Sequence, residues 1–262
     1  MKERFLSVSD IDYISSFDGV NLYSKITLGE QPMANLIIVQ GLSEELDDYD
    51  GVASTFNEYD YNVIRYDQRG HGKTPGDKNL YEHVDIVVED LKAVVDYVKA
   101  QLTGKIFILG HGVGGTIATL FGIRYPNAVH GYISAGGLSP TGQPVFRDDV
   151  VDHSAEIENQ DEEADIEKHK RIKAFREAVR DMDIEFSKFE DKVLIMHGGS
   201  DRIVSSDDAI QFFKEAKTTH KSLRIYDGLD HELLNVSSYR GMLLSDIVNW
   251  LDFELSMENI DK

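Results

Sequence analysis

The sequence predicts an α/β fold, a mostly parallel central sheet flanked by helices, and three observations carry that prediction. Short apolar runs of strand length alternate with segments whose apolar residues recur at helical spacing, the pattern of parallel strands joined by crossover helices. The 262 residues fall within the span that α/β sheets fill as a single domain. Apolar residues make up 41% of the chain and charged residues 28%, a composition that argues against disorder, collagen-like repeats and coiled coil.

Taken in order, Phe17-Asp18-Gly19 reads as a hairpin turn, since Asp-Gly supplies the positive φ a tight turn requires. Strands are expected at Asn35–Gln40, Asn62–Asp67, Ile106–Gly110, Gly131–Ala135, Val193–His197 and Leu223–Tyr226. Asp85–Leu102 is expected to be a helix, because Ile86, Val87, Leu91, Val94, Val95 and Val98 form a core-facing stripe. Leu243–Leu255 reads the same way. One stretch breaks the rhythm: Asp148 to Glu167 holds ten acids and no Lys or Arg. After it Ile172, Phe175, Val179, Met182, Phe186 and Phe189 step by three and four, as an amphipathic helix does. Residues 139–190, approximately, are therefore expected to form a short helical cap inserted into one domain spanning 1–262, over the carboxyl edge of the sheet where open α/β sheets bind ligands. A solvated acidic loop with a peripheral helix is the alternative.

Composition narrows the function. The chain has no cysteine, which removes disulfides, thiolate metal sites, iron–sulfur clusters and thiol nucleophiles, and leans towards an intracellular setting. Forty-seven acids against 27 bases give a net charge of −20, a field that repels nucleic acid and anionic membranes. Met1-Lys2-Glu3-Arg4-Phe5-Leu6 lacks the apolar region of a signal peptide and no window has the apolar length of a membrane span. A cytoplasmic protein without nucleic-acid partners or stable membrane insertion is expected.

The most informative segment is Ile106 to Thr116, a strand passing through Gly110-His111-Gly112-Val113-Gly114-Gly115 into a helix. Gly110, Gly112 and Gly115 satisfy the dinucleotide-binding fingerprint literally. That fingerprint also needs an acid about 20 residues on for the ribose, whereas the first acid after Gly115 is Asp148, beyond the next strand. The same segment fits the nucleophile elbow G-x-S-x-G with Gly112 in place of serine. Around it, Gln40-Gly41-Leu42-Ser43-Glu44 follows one strand and Asp67-Gln68-Arg69-Gly70-His71-Gly72 another. Downstream come His197-Gly198-Gly199-Ser200-Asp201 and Asp230-His231-Glu232-Leu233-Leu234-Asn235.

With these segments in their order, the sequence resembles the α/β-hydrolase superfamily, specifically its monoacylglycerol lipase and lysophospholipase group of serine hydrolases, over nearly the whole chain. The resemblance implies an α/β-hydrolase fold and carboxylic-ester hydrolysis of a small acyl ester or lipid-like substrate. It places nucleophile, acid and histidine at Gly112, Asp201 and His231, the chain order of this fold. It also implies an oxyanion hole from the backbone N–H groups of Leu42 and Val113. Neither cofactor nor metal is expected. His231 to Asn235 lacks the second histidine of a zinc helix motif, and the net charge favours an uncharged or zwitterionic ester.

The chain departs from the family pattern at three kinds of position. Gln40 and Glu45 stand where the family usually has histidine, and Ser43 where it has its second oxyanion-loop glycine. Gly112 has no side chain with which to attack a carbonyl, so the chain is expected to be inactive or severely impaired as an esterase. Three readings stay open: a hydrolase whose serine was replaced, with Gly112→Ser restoring it; a natural non-catalytic binding protein; and His231–Asp201 acting as a general base on water. Glycine at a strained elbow is also expected to stabilise the fold. Arg69 and His71 read as structural, Asp201 has a helix cap near Ser205 as its plainer role, and Ser43 is the one nearby hydroxyl considered as a substitute nucleophile.

Overall fold

The computed structural model describes residues 9–77, 83–137, 171, 173–182 and 185–257. In chain order the elements are β1 (Ser9–Ser15), β2 (Asn21–Thr27), β3 (Ala34–Val39), α1 (Asp50–Glu58), β4 (Tyr61–Tyr66), α2 (Val84–Gln101), β5 (Ile106–His111) and α3 (Val113–Arg124). There follow β6 (Gly131–Ala135), α4 (173–181), β7 (Val193–Gly198), α5 (Ser206–Glu215), β8 (Lys221–Tyr226) and α6 (Ser237–Met257). The strands form one sheet in the order β1-β2-β4-β3-β5-β6-β7-β8. β2 runs antiparallel to both its neighbours, β1 and β4; every pair from β4 to β8 is parallel.

The strands β3 to β7 are buried at every position, because helices cover both faces of the sheet and leave no polar side to alternate with. Side chains still sort by the two-residue period. Leu36 and Ile38, Phe107 and Leu109, and Leu194 and Met196 face a core closed by α1 and α6. Ile37 and Val39, Ile106 and Ile108, and Val193 and Ile195 face a second core closed by α2, α3 and α5. The expected strand Gly131–Ala135 is found as read, and Ile106–Gly110 extends one residue to His111. The turn at Phe17-Asp18-Gly19 joins β1 to β2, with Gly19 at φ +86°.

Every residue from Val113 to Gly122 is buried, the mark of a helix enclosed on all sides. Its start is pressed against the sheet: a Cβ on Gly114 would lie 2.1 Å from the Val39 carbonyl oxygen. Glycine there sets the helix N-terminus at the carboxyl ends of β3 and β5. Of the apolar stripe expected to line a cap, Phe175, Val179, Phe186 and Phe189 are buried in the α2–α3–α5 core, and Met182 packs against it. Phe186 and Phe189 meet Phe212 of α5 at ring distances of 4.5 and 5.2 Å. Ile172 and the acidic stretch 148–167 lie outside the described residues.

Arg69 has the structural role read for it. Its guanidinium bonds Asp90 on α2 through Nε (2.6 Å) and Nη2 (2.7 Å), and Asp18 in the hairpin through Nη2 (2.7 Å). Asp67 accepts the N–H groups of Leu46 and Lys73 at 2.8 Å, and His71 Nδ1 lies 2.9 Å from the Arg69 carbonyl oxygen. The run after β4 ties neighbouring loops to the sheet.

Candidate active site

Gly112 is the residue between β5 and α3, with φ +53° and ψ −121°. L-residues with a side chain rarely adopt this backbone region, which glycine enters at no steric cost. The turn is fixed by the Gly112 N–H bond to the Ala135 carbonyl (2.8 Å) and by the Gly112 carbonyl, which accepts from Gly115 N–H at 3.0 Å. Val113 follows as the first helical residue, so its N–H has no intrahelical acceptor. The loop after β3 lies alongside, with Gly41 Cα 4.0 Å from where a Gly112 Cβ would stand. Leu42 there is buried.

The structure brings His231 and Asp201 to the same turn. Nε2 of His231 lies 3.1 Å from the position of a Gly112 Cβ, closer than a carbon normally approaches. On the other side of the ring Nδ1 donates to Asp201 Oδ2 at 2.8 Å, which fixes the tautomer and leaves Nε2 facing Gly112. The Asp201 side chain is fully buried. Its Oδ1 accepts the N–H groups of Ile203 and Val204 at 2.8 Å each, and Oδ2 also lies 3.1 Å from His197 Nε2. Burial opposes ionisation of this carboxyl, but the bonds from His197, His231 and Val204 outweigh it and hold its pKa far below the usual range. Ser205, not Asp201, caps α5, its side chain accepting from Asp207 N–H.

A second network, which no sequence motif marks, links the loop after β3 to His111 and His231. Glu44 Oε2 accepts from Gly41 N–H and from the Tyr49 hydroxyl, each at 2.5 Å, while Oε1 accepts from Asn235 Nδ2 at 3.0 Å. Because the Tyr49 proton goes to Glu44, Tyr49 must accept from His111 Nδ1, 3.1 Å away. His111 Nε2 donates in turn to the His231 carbonyl oxygen at 3.1 Å. With both ring nitrogens donating, the buried His111 is an imidazolium. Burial opposes that charge, but Glu44 outweighs it and pushes the His111 pKa up to about 9. The Glu44 carboxyl, whose ionisation burial also opposes, is held down at about 2 by His111, Tyr49 and Gly41. The signal in the sequence was faint: Glu44 follows Gly41 by three residues, and His111 precedes Gly112.

Ser43 is exposed and adopts φ +62°, the left-handed form that a glycine would enter freely. Among the described residues one trio, Glu44, His111 and Glu232, brings potential metal-ligand atoms within 4.8 Å of one another. The His111 nitrogens are spent as donors, and Glu44 Oε2 already accepts from Gly41 and Tyr49. A cation would have to displace those bonds. Asn235, at the position a zinc helix motif would give its second histidine, bonds Glu44 rather than facing His231.

A parallel sheet in this strand order, with a sharp strand-to-helix turn at the end of β5 and a His–Asp pair converging on it, defines an α/β-hydrolase. The chain belongs to the serine aminopeptidase S33 family, which it matches over residues 30–147 and 147–237. It is 24% identical to a monoacylglycerol lipase of Mycolicibacterium smegmatis, across 90% of this chain and 95% of that protein. It is also 24% identical to human monoglyceride lipase, across 86% and 84%. An esterase of Pyrococcus furiosus superposes with a TM-score of 0.74 at 17% identity, covering 94% of this chain and 91% of that one; at that identity the likeness concerns the fold. No described helix is long and apolar enough to cross a membrane.

Proposed function

We propose that this chain holds a small acyl ester or lipid-like molecule in a monoacylglycerol-lipase-type site, and that it forms no acyl-enzyme. The observation that carries the reading is the conjunction at the elbow. His231 Nε2 stands 3.1 Å from the Cβ position of residue 112, and Asp201 holds the far side of the ring. This geometry supports reading His231 as base and Asp201 as acid around a residue with no nucleophile. In a restored triad a serine Oγ at 112 would attack the ester carbonyl carbon while its proton passes to His231. Asp201 would stabilise the imidazolium, and the N–H groups of Leu42 and Val113 would receive the developing oxyanion. Gly112 has no atom to make that first bond, and removing the serine from such a triad costs on the order of 10⁶ in kcat. The lipases among the relatives support the substrate class.

The test is hydrolysis of a p-nitrophenyl ester series by the parent protein beside Gly112→Ser, each with and without a fluorophosphonate. Activity and labelling confined to the serine variant are expected. A folded serine variant that is silent and unlabelled overturns the role given to Asp201, His231 and the two N–H groups.

A second reading rests on the same His231 Nε2, which has no hydrogen-bond partner among the described residues. Water beside Gly112 would give one proton to His231 as its oxygen attacks the carbonyl; that proton would then pass to the departing alkoxide, yielding acid and alcohol without a covalent intermediate. Slow hydrolysis by the parent that resists fluorophosphonate and disappears in His231→Ala would identify this route.

A further inference from the structure

The turns that carry Asp201 and His231 are pressed together by their backbones. A Cβ on Gly198 would lie 2.4 Å from the carbonyl oxygens of Leu229 and Asp230, and the Gly199 and Ser200 N–H groups donate to the Tyr226 and Leu229 carbonyls at 2.7 and 2.9 Å. This contact sets the two turns side by side without choosing which way the Asp201 carboxylate faces. His197, near the end of β7 and fully buried, bears on that choice. Its Nε2 lies 3.0 Å from the Val204 carbonyl oxygen and 3.1 Å from Asp201 Oδ2. Both are acceptors, so Nε2 carries a proton and shares it between them. Oδ2 thus receives His197 and His231, and Oδ1 receives the Ile203 and Val204 N–H groups, which fills the carboxylate's lone-pair positions.

The other ring nitrogen of His197, Nδ1, is buried with no hydrogen-bond partner among the described residues. An unpaired buried polar atom is costly, and an apolar side chain would fill the same place without that cost. What histidine adds here is the Nε2–H. We propose, resting on the reading of His231 as base and Asp201 as acid, that His197 is a positioning residue which fixes the Asp201 carboxylate so that Oδ2 stays on His231 Nδ1. Its own Nε2 is fixed in turn by β7 and by the Val204 carbonyl, so the donor does not follow the carboxylate if it turns. Without His197, Oδ2 is held only by the ring it orients; the carboxylate pivots on Oδ1 and the His231 ring goes with it, carrying Nε2 away from residue 112. Because His197 has no exposed surface, it acts through Asp201 and not on substrate.

The experiment has two arms. In the parent protein carrying isotope-labelled histidine, heteronuclear NMR reads which ring nitrogen of His197 bears a proton. Protonated Nε2 is expected; a bare Nε2 overturns the proposal, and this arm needs no variant to fold. The far-downfield Nδ1–H resonance of His231 should persist in His197→Gln and broaden away in His197→Leu. In the second arm kcat and KM for p-nitrophenyl butyrate are measured on Gly112→Ser alone and combined with each substitution. His197→Leu is expected to lower kcat by about tenfold or more, the scale of one hydrogen bond to a charged group, with KM unchanged. His197→Gln, whose amide nitrogen also carries an N–H three bonds beyond Cβ, is expected to recover most of that loss. A folded His197→Leu protein that keeps kcat and the His231 resonance overturns the proposal, as does a His197→Gln protein that loses the full factor. Failure of the underlying reading looks different: Gly112→Ser with His197 intact would be silent, and the His231 resonance in the Gly112 proteins would still decide whether His197 positions the pair.

Discussion

Replacing Gly112 with alanine or serine tests the backbone directly, because the turn demands φ +53° and ψ −121° whatever residue occupies it. A side chain held in so sparsely populated a region costs about 1–3 kcal/mol. The new Cβ also stands 3.1 Å from His231 Nε2, so the ring must retreat by a few tenths of an ångström. Alanine bears the whole cost. Serine regains up to about 1 kcal/mol if its hydroxyl bonds Nε2. The expected order of stability is therefore parent, then Gly112→Ser, then Gly112→Ala. For a chain of this size each kcal/mol moves Tm by about 2–4 °C, so alanine should lower Tm by roughly 2–12 °C. Thermal unfolding followed by circular dichroism, with urea titration of the same samples, reads both quantities. Either variant melting at or above the parent would refute the argument that glycine relieves strain at this elbow.

Two further outcomes follow from the loop beside it. Ser43→Gly removes a left-handed serine that costs about 1–2 kcal/mol and adds back about 0.5–1 in backbone entropy; a net gain near 0.5–1 kcal/mol should raise the urea midpoint, and a fall would show that the serine is not strained. The Glu44–His111 pair predicts a stability profile with two flanks. His111, raised from 6.5 to about 9 on folding, contributes fully below pH 6.5 and loses its contribution as pH rises through 9. Glu44, lowered from 4.5 to about 2, contributes above pH 4.5 and loses its contribution as pH falls through 2. Urea midpoints should decline on both sides of that window. Glu44→Gln should lower the plateau and flatten the alkaline flank, and a Gln variant that keeps the parent's alkaline decline would place its cause elsewhere.

The sheet was legible because its strands are continuous apolar runs between helical stripes, and runs such as Leu36–Val39 have no stable home except between two covered faces. Less visible were β1 and β2, which the sequence marks only by their turn. On β1, Ile11 and Tyr13 are exposed at the sheet edge, so the strand carries no one-sided apolar pattern to read. Gly112, Asp201 and His231 could be picked out because each follows a strand end in the chain order of one fold. That places them near one another without fixing any distance between them.

Sequence alone determined the fold class, the absence of a nucleophilic side chain at residue 112 and the residues gathered around it, since these depend on residue type and on order along the chain. Only the tertiary structure decided that His231 Nε2 stands 3.1 Å from the Cβ position of residue 112 and that Asp201 is held by two histidines and two backbone N–H groups. It alone decided that Glu44 and the buried His111 form an ion pair bonded to the His231 carbonyl through His111 and to the loop after β3 through Glu44. The partners in that network come from segments as far apart as 191 residues, Glu44 and Asn235. Such contacts depend on how three strand ends converge in space, and no local pattern of residues encodes that distance.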